Sequence, residues 1–213
     1  MNLKFKILLL FAYSAMSDVV FAEALSTTSV GMGSRSLSWV PATAPATTEG
    51  GEITDTTITE VLAGPVLCHR VSAPSSIFTL EVGASGCLMK GNDRNFASSM
   101  SGHFTLIYYP FSSRMKVSNE DSAVRLKQMN FTNLYILGKT GFSKTTLGFG
   151  ETPFSYAVDA VDVGGGVGYS YRLFKYVAVG VEAGYVYSSS ISPLVATGSS
   201  TLIEYLGSLT IFL

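Results

Sequence analysis

His103 stands between Ser101 and Thr105, each two positions away. A histidine with a hydroxyl in hydrogen-bond reach is the minimal device for activating a nucleophile toward an acyl carbon. Alternate positions on a strand lie about 7 Å apart, however, and hydroxyl residues recur wherever a strand turns a polar face inward. The spacing admits catalysis without requiring it. Gly138-Lys139-Thr140 has the end of a phosphate-binding loop, but Asn133 occupies the position where that loop needs its first glycine. Gly164-Gly165-Gly166-Val167-Gly168 suggests a dinucleotide turn, yet no helical pattern follows it. Cys68-His69 and His103 offer soft ligands at no spacing known for zinc. No catalytic, cofactor-binding or metal-ligating set emerges, and the reading assigns none.

The elements that carry these residues explain why. The chain has 213 residues, 47% apolar and only 14% charged, with 21 glycines, 11 tyrosines and 13 phenylalanines. A soluble domain carries roughly 25% charged residues. Fourteen basic residues against fifteen acidic ones leave no clustered basic face, which excludes nucleic acid as a partner. Lys4 and Lys6, the apolar run Ile7 to Met16, and Val20-Phe21-Ala22 predict a signal peptide over residues 1–22, with one domain over 23–213. Without Lys4, Lys6 and Asp18, twelve basic and fourteen acidic residues remain. No later run is long and apolar enough for a spanning helix, so membrane residence would require strands.

Strand alternation runs through the rest. Val177, Val179, Val181, Ala183, Tyr185 and Tyr187 oppose Ala178, Gly180, Glu182 and Gly184. The same period two appears at about 28–39, 58–71, 78–88, 99–108, 134–143, 161–171 and 203–213, which predicts eight strands. Pro65 interrupts the second. Long connections are expected at 40–57, 145–155 and 188–200, and short ones at 72–76 and 172–175. Residues 112–129 are too many for a turn, and Ser118 with Asp121 predicts a short helix there.

Period two does not say which face points inward. Opposite the apolar residues lie mainly glycine, serine, threonine and alanine, with about one charge per strand, while the apolar faces carry no charge and several end in tyrosine. A narrow polar interior, a lipid-facing exterior and aromatic girdles follow. The class is all-β: an eight-stranded antiparallel up-and-down transmembrane β-barrel. Arg35, Arg70 and Lys139 would face Glu81, Asp162, Glu182 and Glu204 inside it, with His103 among luminal hydroxyls, as a structural polar network that plugs the barrel. If the turn after the second strand is 72–76, Cys68 and Cys87 are offset by about seven positions, roughly 23 Å, and remain free thiols.

The stretches Asn133 to Ser143, Gly164 to Arg172 and Val179 to Tyr187 resemble the C-terminal half of small outer-membrane barrels, a group that includes OmpA-type transmembrane domains and opacity-type surface proteins. The resemblance is strongest over 130–213. It implies residence in the outer membrane of a Gram-negative bacterium, with lipid, lipopolysaccharide and the barrel-insertion machinery as partners. It also implies a structural or surface-interaction role, adhesion or host contact through loops 40–57, 145–155 and 188–200, or a narrow gated pore. Such proteins end in an aromatic residue; here the end is Phe212-Leu213. The competing classes are a lipid A-modifying enzyme, whose His-x-Ser element is matched only by His103-Phe104-Thr105, and a soluble lipocalin-like carrier.

Overall fold

The computed structural model describes residues 24–41, 58–72, 77–91, 96–111, 114–120, 123–148, 155–191 and 195–213. Their strands are β1 (Leu25–Pro41), β2 (Ile58–Ser72), β3 (Phe78–Lys90), β4 (Phe96–Tyr108), β5 (Met115–Glu120), β6 (Ala123–Met129), β7 (Thr132–Gly148), β8 (Ser155–Phe174), β9 (Val177–Ser190) and β10 (Val195–Phe212). Eight close into a barrel in the order β1-β10-β9-β8-β7-β4-β3-β2, and β5 pairs with β6 alone. Every pairing is antiparallel. Closure leaves no sheet edge for lipid to satisfy, the condition under which strands can cross a bilayer.

Alternation decides the two faces. On β7, Leu134, Ile136 and Phe142 are exposed, whereas Tyr135, Leu137 and Ser143 are buried. Met100 on β4 is 77% exposed and Val181 on β9 is 63% exposed. A continuous apolar exterior of this kind is a lipid face, so the soluble carrier reading is set aside. Aromatic pairs gather at the end where Ala24 and Leu213 meet: Phe78 stacks on Tyr108 at 5.0 Å, Phe131 meets Tyr171 at 4.6 Å, and Tyr176 stacks on Phe212 at 5.3 Å. The two-residue β8–β9 turn, Lys175-Tyr176, lies at the same end. Short turns mark the periplasmic side of such barrels, so the opposite end is extracellular.

The stagger follows from the register. A path across the sheet runs Thr28, His69, Ala84, Gly102, Phe142, Val161, Ser189, Ser199 and returns to β1 at Ser38, ten residues above its start. Strands in closed barrels tilt by about 35–45°, and eight of them leave an interior just wide enough for side chains to fill. Pro65 sits within this closed sheet rather than at an edge. The β2–β3 ladder omits positions 64 and 65, which is where a residue without an N–H does least harm.

Four expectations are corrected. Residues 115–129 form the β5–β6 hairpin rather than a helix. Two strand-length runs separated by two residues favour a hairpin, and Val124 and Leu126 have the strand spacing of two. The outer loops are shorter than predicted, because β7 continues to Gly148, β9 to Ser190, and β10 begins at Val195. Cys68 pairs with Ser85 and Cys87 with Val66, an offset of two positions instead of seven; both thiols are unbridged. The interior is also not uniformly polar. Leu37, Leu62, Val66, Met89, Ala97, Leu147, Val186, Leu202 and Leu206 pack together inside it. Residues 1–22, read as a signal peptide, and 42–57 of the first loop lie outside the described residues.

Candidate functional site

Eight residues were expected in the lumen, and all eight side chains point into the barrel. Arg35, Arg70, Glu81, His103, Asp162, Glu182 and Glu204 are each 6% exposed or less, and the Lys139 side chain is 9% exposed. Their contacts divide them into groups. Arg70 grips Glu182 with both terminal nitrogens, Nη2 to Oε2 at 2.7 Å and Nη1 to Oε1 at 3.4 Å, and its Nε lies 3.2 Å from Glu81 Oε2. Tyr135 donates to Glu182 Oε2 at 3.3 Å. Lys139 Nζ lies 3.4 Å from Glu204 Oε1. Asp162 accepts from Ser143 at 2.8 Å, and Arg35 donates to Thr145, which donates onward to Ser99, both at 3.0 Å.

A ninth member comes from outside the eight-stranded sheet. Arg114, 7% exposed, enters the periplasmic mouth just ahead of β5, pairs through Nη1 with Glu81 and donates from Nη2 to Thr27 at 3.2 Å. Its carbonyl accepts from Asn130 N at 2.9 Å, and Arg172 Nη1 donates to the Met129 carbonyl at 2.9 Å, which fastens the stem of the hairpin to the barrel rim. The sequence places Arg114 in the 112–129 connection, where a short helix is expected, and not in the lumen. One signal could have recovered it: the predicted lumen held three cations against four anions. Arg114 makes the count four and four among the described residues, as burial of charge demands.

Two glycines make room for this cluster. A Cβ on Gly83 would lie 2.7 Å from Arg70 Cγ and 2.9 Å from His103 Nε2. One on Gly168 would lie 2.1 Å from Tyr135 Cζ, so the bare backbone lets that ring lie against the wall and reach Glu182. Buried charges hold only where each has partners, and the glycines let the long side chains converge without displacing a strand.

The hydroxyl partner considered for His103 is not formed; a thiol faces its ring instead. Its Nε2 lies 3.7 Å from Cys68 Sγ, its Nδ1 is without a partner, and Ser101 bonds Ser85 at 2.6 Å instead. Among the described residues no hydroxyl is hydrogen-bonded to His103, and no group of histidine, cysteine and carboxylate residues could hold a metal. The outer mouth has a cavity of about 40 Å³ with Arg35 in its lining, and a second of about 20 Å³ lies further inside.

Neither protein-family models nor curated proteins give any match to the chain. Solved structures do. Neisserial surface protein A is similar over 88% of this chain and 97% of its own, with 11% identity and a TM-score of 0.52. Ail, the attachment invasion locus protein of Yersinia pestis, is 12% identical over 88% of this chain and 99% of its own, with a TM-score of 0.46. OprG from Pseudomonas aeruginosa is 14% identical over 89% and 96%, with a TM-score of 0.39. At such identities the first likeness speaks for the fold, and it agrees with the closed order, the lipid face and the aromatic end already described. The chain has the fold of the small eight-stranded outer-membrane β-barrels.

Proposed function

We propose that the protein is a non-enzymatic, non-conducting surface barrel, with residues 1–22 as its secretion signal, seated in lipid and lipopolysaccharide by the insertion machinery. Its eight strands display the extracellular connections to a host or surface ligand. The luminal network of Arg35, Arg70, Glu81, Arg114, Lys139, Asp162, Glu182 and Glu204 serves as a plug. The observation that carries this reading is the filled interior: balanced charges in the periplasmic half and packed apolar side chains in the extracellular half. A barrel closed twice along its axis has little to transport. Its long first connection, with Glu49, Glu52 and Asp55 and no basic residue between 42 and 57, is better suited to contact. Against the lipid A alternative, which called on a hydroxyl beside His103, Ser101 is bonded to Ser85 and the Thr105 hydroxyl has no partner among the described residues.

The test uses the full chain in cells and in planar bilayers. Cells displaying it should bind surfaces coated with host serum or matrix proteins, and replacing residues 43–56 by a short glycine–serine linker should reduce that binding while leaving the heat-shifted electrophoretic band intact. Purified protein should give no unit conductance steps. Steady conductance, or a lipid A acylation change that His103→Gln abolishes, would overturn the reading.

A further inference from the structure

One polar pair lies on the lipid side of the wall. His69 on β2 and Thr28 on β1 are register partners, both point outward and are exposed, and Nδ1 of the imidazole lies 3.0 Å from the Thr28 hydroxyl. Their outward neighbours Val30, Leu67 and Leu209 are apolar. The other outward acids and bases among the described residues, Lys90, Lys144 and Asp159, stand toward the extracellular ends of their strands. Thr28 is three residues in from Leu25, the register partner of Phe212 in the aromatic belt, and His69 is three residues in from Ser72. A strand tilted by about 40° climbs roughly 2.5 Å per residue, which sets the pair about 8 Å inside that belt, within an apolar band about 25 Å tall.

A neutral imidazole has one N–H donor and one acceptor nitrogen, and a threonine hydroxyl has one donor and two lone pairs. The Thr28 hydroxyl serves Nδ1; Nε2 needs a second partner, and hydrocarbon supplies none. Ionisable side chains at such depth almost always face protein or water rather than lipid. The surface beside the pair is also shallow. Ala84, the β3 partner of His69, and Gly207, the β10 partner of Val30, are both exposed and leave low places on either side of it. Small residues of this kind let a second wall approach closely.

We propose that the outer face of β1 and β2 seats a second copy of the chain, in a two-fold dimer closed by the two Thr28–His69 pairs. Both copies sit in the membrane in the same orientation, so the two-fold axis runs along the membrane normal and each patch meets its own counterpart at equal depth. The second copy therefore brings matching groups to the one level that needs them. With the proton on Nδ1, each His69 donates to its own Thr28 and accepts at Nε2 from the partner's Thr28 hydroxyl. The result is a closed ring of four hydrogen bonds with no spare donor. An unrelated membrane protein would have to carry a donor at the same depth independently, whereas a second copy carries it by symmetry. The interface does not depend on what the extracellular connections bind.

The full chain is refolded in micelles, and its association is followed by sedimentation equilibrium in density-matched detergent. The wild type should dimerise reversibly. His69→Leu and Thr28→Val, both compatible with lipid, should each weaken the dimer about tenfold or more, the effect of losing two intermolecular hydrogen bonds in a membrane. Ala84→Trp should weaken it by bulk with the polar pair intact, and Thr140→Val, which removes an exposed hydroxyl on β7, should change nothing. In cells, Val30→Cys in a chain whose Cys68 and Cys87 are replaced by serine should give a disulfide-linked homodimer under copper phenanthroline, and Gly138→Cys, on the opposite wall, should not. Each variant is scored once its heat-shifted band shows that it has folded, and either of His69→Leu and Thr28→Val stands in for the other. A wild type that stays monomeric, a dimer that neither substitution weakens, or a Val30→Cys crosslink to a protein other than this chain would overturn the proposal.

Discussion

On β2, Arg70 and Leu62 both point into the barrel; on β3, Glu81 and Met89 do the same. The first of each pair lies in the periplasmic half, where Arg70, Arg114, Glu81, Glu182 and Tyr135 are joined by hydrogen bonds and ion pairs. The second lies in the extracellular half, where Leu62 and Met89 pack with Leu37, Ala97, Leu147 and Leu202. The same strands therefore close one tube by two means. Ion pairs close it only if each donor meets its own acceptor in direction and number, because an unmatched buried charge is costly. Apolar packing asks for volume and shape, and tolerates exchange of one hydrocarbon for another. Substitution should thus be unforgiving below and permissive above.

The largest effect should come from Arg70→Ala, which removes the one side chain among the described residues that pairs with both Glu81 and Glu182. Breaking a buried pair in this way costs about 3–5 kcal/mol, and urea denaturation in micelles should show a midpoint lowered to match. Arg70→Lys should recover only part, since an ammonium cannot present the planar fork that grips Glu182 while reaching Glu81. Arg114→Ala should cost less, about 1.5–3 kcal/mol, because Glu81 keeps Arg70 as a partner. Adding Glu81→Gln to that variant should restore stability by removing the surplus negative charge. Equal losses for Arg70→Ala and Arg114→Ala would mean that the two arginines act as a single unit and that the hairpin belongs to the plug as fully as the strands do.

What could be read from the chain follows the same division. The eight strands and the inward direction of Arg35, Arg70, Glu81, Lys139, Asp162, Glu182 and Glu204 were legible, because lipid on one side imposes an uninterrupted period two. The signal fades where strands leave the hydrocarbon: Thr145-Thr146 and Ser199-Ser200 read as loop but lie in β7 and β10. Arg114 was misplaced because the 112–129 connection lacks the alternation that lipid imposes and reads as a short helix, while its partner Glu81 is far away in sequence. The pairing of Cys68 with Ser85 was missed for a related reason. It depends on the ten-residue stagger of the whole barrel, which the length of a single turn does not report. Luminal leucines such as Leu62, Leu202 and Leu206 were visible, but alternation alone does not reveal that they meet in one layer.

That layer gives the smallest expected effect. Met89 is 1% exposed and packs among Leu37, Leu62, Ala97 and Leu202, so its contacts are dispersion and apolar burial, with no directional partner. Met89→Leu conserves most of the volume and should cost under about 1.5 kcal/mol. The comparison is sharpest between this change and Arg70→Lys, since each is conservative by chemistry and only the second lies in the ionic half. Both are measured by the same urea midpoint in the same micelles. A loss for Met89→Leu as large as that for Arg70→Lys would show that the extracellular half is as tightly specified in shape as the periplasmic half is in charge. A small loss leaves shape as the looser constraint, with room in the upper lumen for sequence change that the ion-paired floor does not allow.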